Sequence, residues 1–241
     1  MKKKSESASA LIGFTGFVGS TLLPDIKRKT KQLKLYNSEN IDKIKGERFN
    51  EVFFAGLPAV KWLINKNPGV DQNNIKKIKN NLKQIECEIF ILISTIDIHN
   101  DYETYGRNRK NFEKFIIKNF KKYLIIRLPG IFGKGLKKNI IYDLLNINNI
   151  DQININSEFQ WFDLKLLFKE IELCKKKLNT INELYSHPIK NSEIVKLFPN
   201  IKIKQNKTKE IKYNIKPQKG FYKTKIFIKN QIKKFIKNYE K

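Results

Sequence analysis

Three glycines at a strict period of three, Gly13, Gly16 and Gly19, stand inside the apolar stretch LIGFTGFVGSTLL of residues 11–23. Glycine serves backbone that must turn tightly or approach another group closely. When a strand precedes such a turn and a helix follows, the first N–H groups of the helix face an anion. Residues 8–12 can be the strand and residues 17–23 the start of the helix, so one reading is a cradle for a pyrophosphate and another is a plain tight turn. The spacing is G-x-x-G-x-x-G, not G-x-G-x-x-G, and context has to decide. A third reading takes Lys2, Lys3 and Lys4 as the positive end of an export signal with the apolar run behind it. Against that, the glycines break the run and no small-x-small cleavage site precedes Pro24.

Other chemistries are poorly supplied. Cys87 and Cys174 are far apart and lack any C-x-x-C partner, and His99 and His187 are the only histidines, so no metal site is expected. Two isolated cysteines suit a reducing compartment, and a cytoplasmic location is expected. The net charge is +26, but the 49 basic residues are nearly all lysine, spread along a chain heavy in lysine, isoleucine and asparagine throughout. No recognition helix, zinc pattern or aromatic RNA-binding strand accompanies them, so nucleic acid is not an expected partner. No further apolar run approaches the roughly 18–20 residues of a membrane span, which reads as soluble or at most peripheral.

The elements that must position the glycine turn follow from hydrophobic patterning. Residues 32–36, 51–55, 88–94 and 123–128 are short strand-like runs, the last two apolar on both faces. Residues 71–85 and 105–120 have helical spacing, the latter with Phe112, Phe115, Ile116 and Phe120 on one side. Strands alternating with helices predict a parallel sheet covered on both faces, a doubly wound α/β (Rossmann) fold. With 40% hydrophobic residues, 241 residues can bury one good-sized core. The expected organisation is a dinucleotide-binding domain with a reduced substrate-binding part over 1–200, and a lysine-rich segment over 201–241. That segment ends in an amphipathic helix with Ile228, Ile232, Phe235, Ile236 and Tyr239 on one face. It suits packing on the protein, a second subunit in a homodimer, or peripheral contact with an anionic membrane.

GFTGFVG at 13–19, STIDIH at 94–99, YGRNR at 105–109 and RLPGIFGKG at 127–135 occur in an order that resembles the extended short-chain dehydrogenase/reductase superfamily. The similarity is greatest to its NAD-dependent epimerase/dehydratase group, which acts on nucleotide sugars. The resemblance covers residues 8–200. It implies that Gly13, Gly16 and Gly19 lie under the pyrophosphate of NAD or NADP, with Phe17 and Val18 opening the helix. Ala55 and Gly56 would end a neighbouring strand. The position of the ribose-recognising acid is held by Asn37 and Ser38, with Arg28 and Lys34 near, which leaves NAD and NADP both open.

The family's catalytic set is a Ser/Thr at a strand end and a Tyr four residues before a Lys. The i, i+4 spacing lets the cation sit beside the phenol, lower its pKa from about 10 and hold the nicotinamide ribose. Thr95 (or Ser94) and Tyr105 match; the third position is Arg109, always charged and unable to relay a proton as an ammonium does. Lys110 is one residue out of register. Asp97 reads as a general base or as a solvated acid, in a short insert that also carries His99, Asp101 and Glu103. Pro129 and Gly130 set a turn along the nicotinamide. Lys134 is a candidate for the substrate diphosphate or a solvated lysine. Trp161, Leu164, Leu167 and Ile171 have the spacing of an amphipathic helix and read first as core; Gln160 and Trp161 are also candidates for sugar contact, and Asn191 or Ser192 is a candidate helix cap. The resemblance thus implies an epimerase, dehydratase or reductase acting on a nucleotide sugar in surface-polysaccharide synthesis. The alternative is a non-catalytic dinucleotide-binding sensor or assembly subunit of the same fold.

Overall fold

The computed structural model describes residues 8–203 and 208–239. Lys2, Lys3 and Lys4, which carried the export-signal reading, lie outside the described residues. In chain order the regular elements are β1 Ser9–Ile12, α1 Phe17–Lys29, β2 Leu33–Tyr36, β3 Arg48–Phe54, α2 Lys61–Lys66, α3 Pro68–Leu82, β4 Glu86–Thr95, α4 Thr104–Asn119 and β5 Tyr123–Leu128. They continue with β6 Gly130–Phe132, α5 Ile140–Asn146, β7 Glu158–Phe159, β8 Trp161–Asp163, α6 Leu167–Cys174, β9 Thr180–Glu183, β10 Ile189–Lys190, α7 Asn191–Val195 and α8 Lys225–Lys237.

Six strands form one sheet in the order β2-β1-β3-β4-β5-β9, and the pairs β1–β2, β1–β3 and β3–β4 are parallel. The chain leaves β1 toward β2 and then crosses to β3 on the other side, so the order reverses at β1. In open α/β sheets the crevice at the carboxyl ends beside such a reversal is where ligands bind. The doubly wound fold expected from the strand spacing is therefore the observed one.

Alternation along the strands explains why both faces are covered. Ala10, Ile12, Val52, Phe54, Phe90 and Leu92 belong to a core shared with Ile75, Ile78 and Leu82 of α3 and Phe112, Phe115 and Ile116 of α4. On β1 and its neighbours the intervening Leu11, Phe53 and Ile91 are also fully buried, as are Leu22 and Ile26 of α1 and Ile171 of α6. A strand buried on both sides must be apolar at every position, and β1 is buried along its whole length.

The chain divides into two compact units, Met1–Arg127 with Leu166–Asn182, and Leu128–Lys165 with Glu183–Lys241. The first carries the six-stranded sheet. The second has two small sheets, β6 paired in parallel with β8 and β7 antiparallel with β10. Within it α8 buries Ile228 and Ile232, and Phe235 packs 5.8 Å from Phe132 between ring centroids. The apolar face of the C-terminal helix is thus used inside its own unit.

Three local expectations are corrected. Pro129 and Gly130 do not form a turn: Pro129 is a one-residue break between β5 and β6. Gly130 enters β6 with its N–H donating to the Gln160 carbonyl. The chain turns later, where Gly135 has φ +85°. Trp161 is in strand β8, not on the amphipathic helix, which begins at Leu167. Neither Asn191 nor Ser192 caps a helix. Lys190 is the N-cap of α7, and the Asn191 amide donates to the Asn154 carbonyl instead.

Candidate functional site

The glycine turn sits between β1 and α1 at the reversal point. Its three glycines do different work. Gly13 has φ +87°, and a Cβ there would lie 2.5 Å from the Ala55 carbonyl oxygen; a Cβ on Gly19 would collide with the Gly13 carbonyl. These two are required by the fold itself, because the turn folds back on the strand end and on the first helical turn. Gly16 differs. A Cβ there would meet only the Gly13 carbonyl oxygen, at 3.4 Å, so its outer side is open. Gly16 is the N-cap of α1, no side chain caps the helix, and no acid lies in the first turn, which begins with Phe17 and Val18. The early N–H groups of α1 therefore lack the side-chain partner most helices provide, a condition an anion satisfies.

The neighbouring strand ends close on this turn. The Ala55 N–H donates to the Ile12 carbonyl and the Gly13 N–H to the Tyr36 carbonyl. A Cβ on Gly56 would lie 3.0 Å from the Ile12 side chain. At the end of β2, the Asn37 side-chain oxygen accepts from the Glu39 N–H in an Asx turn. Arg28, in the last turn of α1, pairs with Asp25, and Lys34, early in β2, pairs with Glu47 at 2.7 Å.

A second cluster lies at the end of β4 and the start of α4. Thr95 is the last residue of β4, and its Oγ1 accepts from the Asp97 N–H and donates to the Asp97 carboxylate, both at 3.2 Å. Tyr105, in the first turn of α4, is 7% exposed. Gly106 makes that approach possible, because a Cβ there would lie 2.5 Å from the Asn100 carbonyl oxygen and clash with that of Asp97. Ser94, the alternative hydroxyl, points into a separate network: it donates to Glu113 at 2.5 Å, and Arg127 holds the same carboxylate from the other side.

Arg109 lies beside Tyr105, as the i, i+4 spacing expects, but it is also held by α3. Its guanidinium lies over the Tyr105 ring face, 4.4 Å from the centroid. It makes a forked pair with Asp71, 2.9 and 3.2 Å, and donates to the Pro58 carbonyl at 2.6 Å. The side chains of Arg109 and Asp71 are 4% and 1% exposed. Arg109 thus bolts α4 to α3 while its charge and a hydrogen bond still act on the Tyr105 phenol. The expected lowering of the Tyr105 pKa is reversed: burial pushes the phenol up, the Arg109 charge only partly opposes this, and the Asp97 charge adds to the rise. Lys110 is paired with Asp101 at 2.6 Å.

Patterning of residues 57–70 gave no sign of the cation that does reach the cluster. Lys61, first residue of α2, places its Nζ 2.9 Å from Asp97 Oδ1 and 2.7 Å from Glu103 Oε2. Asn65, one turn on, accepts from the Tyr105 N–H at 2.9 Å and donates to Glu103. Only the pairing of β3 with β4 brings these residues together, since a lone lysine in a lysine-rich chain carries no pattern.

The remaining candidates lie in the second unit. Lys134 is exposed, with no carboxylate partner among the described residues. Gln160 and Trp161 are corrected as sugar contacts: they are 1% and 2% exposed. The Gln160 amide donates to the Ser186 and Ile215 carbonyls and accepts from the Ile215 N–H, so its hydrogen-bonding capacity is spent on backbone. Among the described residues no group of three or more His, Cys, Asp and Glu side chains could hold a metal, and no helix is long and apolar enough to cross a membrane.

The architecture defines a Rossmann-type α/β protein. No family model and no curated protein matches the sequence. Its fold is similar to UDP-N-acetylglucosamine 4-epimerase from Methanobrevibacter ruminantium, solved with UDP-N-acetylmuramic acid (TM-score 0.72, 11% identity, covering 96% of this chain and 97% of that one). It is also similar to dTDP-glucose 4,6-dehydratase from Streptomyces venezuelae, solved with NAD (0.71, 9%, 95% and 96%), and to UDP-glucose 4-epimerase from Thermotoga maritima, solved with UDP-glucose (0.69, 13%, 88% and 90%). These neighbours belong to the group that the sequence motifs resemble.

Proposed function

We propose that this chain binds a nicotinamide dinucleotide at the glycine turn and acts on a nucleotide sugar as an epimerase, dehydratase or reductase. The observation that carries the reading is the open, uncapped N-terminus of α1 at the sheet's reversal point. The Thr95–Asp97–Tyr105 cluster supports it, lying two strands across at the same carboxyl-end edge. Gly16 leaves space for close approach of a pyrophosphate, and Phe17, Val18, Ala55 and Gly56 border it. Asn37 and Ser38 after β2 leave NAD and NADP both open. When bound, the nicotinamide supplies hydride transfer. The chain's own part is to exchange a proton at the Tyr105 oxygen and to orient the reacting oxygen through the Thr95 hydroxyl, with Asp97 as the adjacent base. Lys134 is the candidate for a substrate diphosphate. Cys87 and Cys174 are not joined in a disulfide, in keeping with a cytoplasmic enzyme supplying surface-polysaccharide synthesis.

A second reading has its own observation. Arg109 is spent on Asp71 and the Tyr105 phenol is pushed up by burial, which suits a non-catalytic dinucleotide-binding subunit. Titration with NAD(H) and NADP(H), followed through exposed Trp62, then assay with a panel of nucleotide sugars, separates the two. Binding with turnover that Tyr105→Phe abolishes supports the enzyme. Binding without turnover, unchanged in Tyr105→Phe, supports the subunit; no binding at millimolar dinucleotide removes both.

A further inference from the structure

The resemblance puts an ammonium four residues after Tyr105, and this chain has a guanidinium there, buried against Asp71 and the Pro58 carbonyl. An arginine so held acts on the Tyr105 phenol but not on the Thr95–Asp97 pair, and a second cation reaches that pair. Lys61 arrives from a different element, seven residues after β3 ends, at the carboxyl-end edge where Thr95 closes β4. Its Nζ is 2.9 Å from Asp97, whose other oxygen accepts from the Thr95 hydroxyl.

We infer that Lys61 is a positioning cation of this site: through Asp97 it orients the Thr95 hydroxyl and offsets the carboxylate charge, while Arg109 acts on the Tyr105 side. The inference rests on the dinucleotide reading above. Three features carry it. The ammonium touches two carboxylates, Asp97 and Glu103, which fix it from both sides of the β4–α4 connection. Its side chain is 31% exposed, so it is reachable by solvent and by a ligand where Arg109 is not. The element that carries it is tied to the candidate acid/base residue itself, through the bond from the Tyr105 N–H to Asn65.

The physical consequence concerns oxidation state. An oxidised nicotinamide ring carries a positive charge and the reduced ring does not, so a cation held near Thr95 disfavours the oxidised form relative to the reduced one. Removing Lys61 also uncovers the Asp97 charge, which acts in the same direction. A unit charge at several ångströms under partial screening is worth about a fivefold change in the affinity ratio.

The test uses the full chain and measures dissociation constants for NAD⁺ and NADH in the wild type, Lys61→Met, Lys61→Arg, Lys61→Met/Asp97→Asn and, as a control, Lys110→Met. Lys61→Gln is the second variant should Lys61→Met fold poorly. The expected result is a shift of about fivefold toward NAD⁺ in Lys61→Met, a ratio near that of the wild type in Lys61→Arg and in the double variant, and no change in Lys110→Met. Equal weakening of both forms, or a ratio within twofold of the wild type, overturns the inference and makes Lys61 an anchor for α2 only. Failure of the wild type to bind either form instead overturns the dinucleotide reading, and the inference with it.

Discussion

Removing the Asp71 carboxylate tests most directly what Arg109 does. Asp71 accepts three hydrogen bonds, from Asn108 at 2.7 Å and from the Arg109 fork at 2.9 and 3.2 Å, and both members of the ion pair are almost fully buried. Taking away one partner strands a guanidinium out of water, which costs about 3–5 kcal/mol. That is a large share of the roughly 5–15 kcal/mol by which a domain is stable. Asp71→Ala is therefore expected to lose about 3–5 kcal/mol in urea unfolding followed by circular dichroism, and Arg109→Ala a comparable amount through the stranded carboxylate. An apolar exchange of both, Asp71→Leu/Arg109→Met, leaves no buried charge and should recover most of the loss. Double-mutant coupling measured this way isolates the pair. A loss below about 1 kcal/mol in Asp71→Ala would refute the reasoning, since it would mean the guanidinium finds water or another acceptor and is available for other work.

The three glycines should separate by role. Gly13→Ala and Gly19→Ala are expected to unfold the chain or reduce its soluble yield sharply. Gly16→Ala should cost no more than about 1 kcal/mol, yet weaken dinucleotide binding at least tenfold; thermal melts and titration check both. Gln160→Leu should destabilise by about 1–3 kcal/mol, because it leaves the Ile215 N–H, the part-buried Ile215 carbonyl and the buried Ser186 carbonyl without their partner, while leaving any nucleotide-sugar preference unaltered in a competition assay. Burial pushes the Cys87 thiol up to about 12. At pH 8 roughly one molecule in ten thousand then carries the thiolate, and iodoacetamide mapping by mass spectrometry should leave Cys87 unlabelled in the native protein. Burial likewise raises the Tyr36 phenol to about 12 and the Tyr105 phenol above its ordinary value. Above about pH 10 the unfolded chain sheds these protons and the folded chain does not, so stability present below pH 10 falls as pH rises toward 12, by urea midpoint. In Tyr36→Phe that fall should be smaller.

Much of the architecture was legible because it rests on local rules. Runs apolar on both faces, as in residues 88–94 and 123–128, have few places to go except the middle of a parallel sheet. The helical period of Phe112, Phe115 and Ile116 marks the face α4 turns to that sheet. Gly13 and Gly19 announced a turn for the reason the structure shows, that no Cβ fits there. Trp161, Gln160 and Pro129 were read less well. Aromatic, amide and proline side chains have uses at a sugar site and in a core alike, and burial, which decides between them, depends on what packs above.

By itself the sequence determined the doubly wound fold, the position of the glycine turn and the nearness of Thr95, Asp97 and Tyr105, because each follows from periodicity or from short separation along the chain. The partners of the charged groups were decided only by the tertiary structure. Arg109 is claimed by Asp71, 38 residues earlier, and Asp97 receives Lys61 from across the β3–β4 edge. Charge has no period along a chain. Which cation meets which carboxylate is settled by helix packing and strand order, and here that assigned the buried pair to stability and left a half-buried lysine on Asp97.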